Sequence, residues 1–159
     1  LVAQARSKLA TDGSLSSDDL IDLTRKTATM TSPDLNADYE AIAAKHLTPE
    51  DQNVLKANGF VSLLQPDTGW DVLHAEATRL MASRPPESLE AMDLAKRWMA
   101  QVAKATGGDP SLNQKVRAVA REMHDTPEFQ QHSKSSNAMM DYIAQAYGAA
   151  IAAGLMPKP

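Results

Sequence analysis

The stretch Leu94–Pro110, LAKRWMAQVAKATGGDP, constrains this chain more than any other. Leu94, Ala95, Trp98, Met99 and Val102 recur at helical spacing, which makes the segment the apolar face of an amphipathic helix. The opposite line, Glu90, Asp93, Arg97, Gln101 and Lys104, is polar. Gly107 or Gly108 follows, and glycine closes a helix in the left-handed conformation without a Cβ penalty. Asp109 then offers an N-cap acceptor, and Pro110 sits where a helix needs no backbone donor. A chain punctuated in this way passes from helix to helix through short connections.

The same punctuation recurs along the chain. Ser14 or Ser16–Ser17, with Asp18 and Asp19 behind, predicts a helix start, and Ser32–Pro33 opens another with Leu35, Tyr39, Ile42, Ala43 and His46 on one side. Thr48–Pro49–Glu50–Asp51 combines cap, proline and acids, and Asn58–Gly59 closes that helix. Phe60–Gly69 is the least regular region and ends in a Pro-Asp-Thr-Gly turn. Trp70, Leu73, Ala77, Leu80 and Met81 predict a helix running to Arg84, where Pro85–Pro86 stops it. Ser88 starts the tryptophan helix, and Thr126–Pro127 a short turn around Phe129. The last helix, Ser135 to Ala153, is apolar around most of its circumference, with Asp141 and Gln145 as its polar line. Such a helix belongs at the centre of a fold, beside a cavity or against a partner. No alternating run survives as a strand, so the class is all-α, with seven to nine helices.

Composition excludes more than it suggests. At 159 residues one domain is expected. The net charge is −4 and no Lys/Arg cluster exceeds two residues, which argues against this segment gripping a phosphate backbone. Without cysteine there is no disulfide, thiolate site or cysteine nucleophile. No apolar run is long enough to span a membrane and no signal peptide is recognisable, so a cytoplasmic protein is the default. The chain opens in mid-helix pattern, as a piece of a longer protein would. The four histidines, His46, His74, His124 and His132, form no metal-ligand spacing, and no phosphate loop or nucleophile elbow exists. Neither an enzyme nor a metal or cofactor is expected. What remains is apolar surface. Met and Ala suit helix packing, and Met also suits adaptable binding surfaces. Trp98 reads as core or pocket wall, and Trp70, following a turn, as core or ligand-facing, with His74 one helical turn beyond it.

The segment LAKRWMAQVAKATGGDP resembles the Leu-Ala-x-Arg-Trp…Thr-Gly-Gly-Asp-Pro stretch of the TipAS-type antibiotic-recognition domain, the effector half of certain MerR-family transcription regulators. Leu15–Met30, Lys45–Leu55, Trp70–Leu80 with Glu76, and Ala138–Tyr147 are similar to further stretches of that family in the same order, covering about Leu15–Gly154. The chain departs from the pattern at His46–Leu47, where a tyrosine pair is common, and at Ala105, where a phenylalanine is. It also lacks the cysteine chemistry with which the founding member captures thiopeptides. The resemblance implies a globin-like helical domain with an apolar cleft, spanning residues 32–159, after the end of a dimerisation helix and a connecting helix in residues 1–31. It further implies reversible binding of bulky, polycyclic apolar molecules. DNA would be contacted only through an N-terminal domain beyond this chain, in a homodimeric regulator. The residues expected to meet the ligand are Trp70, His74, Trp98, Val102, Phe129, Met139, Tyr142 and Tyr147. A stand-alone drug-sequestering protein and a helical protein-interaction module remain the alternatives.

Overall fold

A computed structural model describes residues 33–60 and 68–158. The expected helices of residues 1–31 and most of the irregular stretch before Trp70 lie outside the described residues. Every regular element among the described residues is an α-helix, and there are seven. In chain order they are α1 (Pro33–His46), α2 (Pro49–Ala57), α3 (Thr68–Met81), α4 (Leu89–Thr106), α5 (Pro110–His124), α6 (Pro127–His132) and α7 (Asn137–Ala152).

The helix ends follow from local chemistry. Thr48 and Asp51 form a reciprocal capping box at α2, each side chain bonding the other's backbone N–H. Ser88 accepts from the Ala91 N–H at α4, Asp109 from the Ser111 and Leu112 N–H groups at α5, and Ser136 from the Met139 N–H at α7. Gly107 ends α4 at φ 65°, and the Gly108 N–H reaches back to the Ala103 carbonyl, so the Gly-Gly pair is helix punctuation.

Two boundaries differ from expectation. Thr68 and Gly69 already belong to the first turn of α3. Glycine costs a helix little at its frayed end, and Trp70 and Leu73 draw the turn into the packed bundle. At the other end α3 stops at Met81 instead of Arg84, because the Ser83 and Arg84 N–H groups both turn back to the Leu80 carbonyl ahead of Pro85.

The apolar residues form two clusters. In the first, α4 packs against α7 and α3 through Leu73, Ala77, Leu80, Ala91, Leu94, Ala95, Trp98, Met139, Tyr142, Ile143 and Ala146. The four alanines let helix axes approach closely, leaving room for large rings elsewhere in the same layer. The second cluster joins Leu35, Ile42, Ala43 and Leu47 to Leu55, Leu112, Val119, Met123 and Phe129. Helix α7 packs on both α3 and α4 and keeps Asp141 and Gln145 exposed, which accounts for its nearly continuous apolar circumference. No helix among the described residues is long and apolar enough to cross a membrane.

Candidate functional site

Three rings meet where α3 crosses α4. Trp70 and His74 stand one turn apart on α3, with ring centroids 5.8 Å from each other, and Trp98 on α4 completes the group. The two tryptophans pack edge to face at 5.1 Å and 79°, and His74 lies 5.3 Å from Trp98. An edge-to-face pair sets the positive rim of one ring against the negative face of the other. Trp98 is only 8% exposed and forms the wall of this group, whereas Trp70 and His74 are half-buried and form its accessible side. Val102, one turn beyond Trp98, and Tyr147 of α7 pack against the same cluster.

Ion pairs hold the two helices that carry these rings. Arg97, the neighbour of Trp98, donates from Nη2 to Glu76 of α3 at 2.8 Å and from Nε to Asp93 at 2.9 Å. That pairing explains why an acid follows Trp70 at this spacing and an arginine precedes Trp98. The Arg97 guanidinium holds the Glu76 carboxyl below its usual range, against a smaller opposing effect of burial. Burial pushes the His74 imidazole below its ordinary value, partly opposed by Asp71, while the nearby charges of His124 and Lys134 push it further the same way. At neutral pH the ring beside the tryptophans is therefore uncharged and offers a flat, mostly apolar face.

Seven of the eight residues expected to meet a ligand thus belong to one region of the molecule: Trp70, His74, Trp98, Val102, Met139, Tyr142 and Tyr147. Tyr142 is buried among the apolar residues and donates its hydroxyl to the Arg84 carbonyl at 3.1 Å, so that oxygen anchors the loop after α3. Met139 is also buried, between this cluster and a surface hollow. Phe129 is placed elsewhere. It packs in the second cluster, its ring 5.3 Å from that of His124. The short helix α6 leans on α5, which carries Phe129 into the aliphatic interior.

Periodicity did not reveal a polar junction around the buried His124. Its Nδ1 lies 3.1 Å from Oδ1 of Asn137, the first residue of α7. The Asn137 amide nitrogen donates to the Arg121 carbonyl at 3.3 Å and to Asp125 at 2.8 Å, while Gln130 donates to the His124 carbonyl at 2.9 Å. Burial lowers the His124 pKa, partly offset by the bond to Asn137. The sequence signal, an Asp-Thr-Pro after His124 and an asparagine at a helix start, is too common to have singled it out. Among the described residues no three His, Asp or Glu side chains converge as metal ligands would.

No family model matches this chain, nor does any curated protein or solved structure.

Proposed function

We propose that this chain is a ligand-binding effector domain of the TipAS type, globin-like in its helix arrangement, which reversibly binds bulky apolar molecules for a MerR-family regulator. In this reading a separate N-terminal domain of the full regulator contacts DNA, and the regulator is a homodimer. One observation carries the reading: Trp70, His74 and Trp98, distant in sequence, share one aromatic group flanked by Val102 and Tyr147. Three flat faces with a neutral histidine suit a polycyclic ligand better than a charged one. A ligand enters from the Trp70 and His74 side and ends on Trp98, so the cleft forms along the line between α3 and α4.

The test is a thermal-shift screen of polycyclic antibiotics, read together with tryptophan fluorescence. A ligand at a hundred times its Kd stabilises the folded state by about 2.7 kcal/mol, a shift of several degrees for a domain of this size. Trp70→Ala, which removes a half-buried ring, is expected to weaken such a ligand by about tenfold or more while leaving the fold intact. If no polycyclic compound moves either the melting temperature or the tryptophan emission, the proposal fails.

A further inference from the structure

A second candidate site lies away from the tryptophans, at the far end of α3. There a surface hollow of about 390 Å³ is lined by Thr78, Met81, Ala82, Lys134, Ser136 and Met139. Its volume falls at the small end of the range of about 300–1,000 Å³ found for small-molecule sites. The floor is thioether and methyl: Met139 is buried, Met81 is 37% exposed, and both are flexible enough to close on varied apolar bodies.

The polar part of the lining has one sign. Among the described residues Lys134 has no ion-pair partner, so its charge is available at the rim of the hollow. The Ser136 oxygen accepts from the Met139 N–H, which leaves its hydroxyl proton to donate. Thr78 directs its own proton to the His74 carbonyl at 2.9 Å. No carboxylate lines the hollow. A cation and a hydroxyl donor at the rim of a methionine floor match a carboxylate on a short apolar body. A neutral apolar molecule would leave Lys134 no better satisfied than water does, and a cation would be repelled.

We propose that this hollow is a binding site for small amphiphilic monocarboxylates, the carboxylate paired with Lys134 and Ser136 and the apolar body lying on Met81 and Met139. The hollow shares Met139 with the cluster that holds Trp98, but its proposed occupant rests on neither tryptophan, and either proposal can be right without the other.

Octanoate, octanol and octylammonium are suitable probes, titrated separately into the full chain carrying ¹³C-methyl methionine and followed by NMR. Octanoate is expected to shift the Met81 and Met139 methyl signals saturably. Octanol should bind about tenfold more weakly, and octylammonium should leave both signals in place. Lys134→Gln, at an exposed position, should weaken octanoate by about tenfold without changing octanol, and Met81→Glu should abolish both. Unmoved Met81 and Met139 signals, equal affinity for octanoate and octanol, or an unchanged octanoate affinity in Lys134→Gln would each overturn the proposal. Octanoate that instead quenches Trp70 and Trp98 emission while leaving both methyls unshifted would overturn it too, and would leave the aromatic site standing.

Discussion

The two apolar clusters are built differently. Around α3, α4 and α7, alanines bring the helices close and two tryptophans and two tyrosines fill what the alanines leave. Around α1, α2, α5 and α6, the interior is aliphatic, with a single alanine and the ring of Phe129. Ion pairs bridge the rims of both, and beside the first cluster Arg97 of α4 reaches Glu76 of α3. Three elements of the aliphatic cluster are tied from outside, by Glu122 pairing with Lys45 and with His46 and by Lys115 reaching Asp51 at 2.7 Å. Half-buried rings border both clusters, Trp70, His74 and Tyr147 at the first and Tyr39 and Phe60 at the second. The difference lies in the interiors: one is filled by aliphatic chains, whereas the other sets a buried tryptophan against half-buried rings, the arrangement on which the proposed ligand site rests.

Core truncation in each cluster gives the largest expected effects. Leu94→Ala and Met123→Ala remove side chains with 0% exposure, and each is expected to cost about 2–5 kcal/mol in urea denaturation. Both should shift one common transition, since α4 packs on α5 as well as on α3 and α7. Two resolved transitions would divide the molecule along the line between the clusters. The pair also sharpens the functional contrast: Leu94→Ala should weaken a ligand on Trp98, its neighbour one turn along α4, and Met123→Ala should not.

Asp109→Ala comes next. It strips the cap from α5, whose buried Leu112, Val119 and Met123 belong to the aliphatic cluster, at a cost of about 1 kcal/mol. The urea midpoint should fall with an unchanged slope, and an unchanged midpoint would mean that the cap bonds add nothing.

Acid should erode stability through His74 and His124, both held below their ordinary value by burial. The unfolded chain, with histidine values near about 6.5, then binds more protons than the folded one. Stability is therefore full above that value and is lost as pH falls through it toward the depressed folded values. Melting temperatures between pH 8 and pH 5 should show this decline, and His124→Gln should flatten it; a flat wild-type profile would contradict it. The smallest effect is expected for Arg97→Gln, about 1 kcal/mol or less, because its ion pairs with Glu76 and Asp93 are partly solvated. Added salt should shrink it further, and a cost of several kcal/mol would show that the pairs orient Trp98 as well as bridging the helices.

Helix identity was legible because its signals are local. Caps at Thr48, Ser88 and Asp109 and the left-handed Gly107 depend on neighbours within four residues, and all four act as their residue types require. The side assignment of Trp98 was legible from periodicity. What spacing alone does not encode is which face meets which. Phe129 sits on a short helix whose packing on α5 decides its surroundings, so nothing in its own segment distinguishes the aliphatic cluster from the aromatic one. Lys134 and Ser136 lie in a serine-rich connection without periodicity, and their approach to Thr78 and Met81 is a property of the packed bundle.

The junction at Asn137 has a consequence for proton placement. Its amide nitrogen donates to the Arg121 carbonyl and to Asp125, which fixes the other end of the amide as an acceptor. His124 must then carry its hydrogen on Nδ1, so the neutral ring exists as one tautomer and its Nε2 is left with the lone pair. Replacing that amide by a carboxylate of the same shape would reverse the logic. Asp125 and the Arg121 carbonyl would face another acceptor, and relief would come from a second proton on the imidazole. One atom in the first turn of α7 thus fixes the tautomer of a ring in α5 and offsets part of what burial does to its basicity.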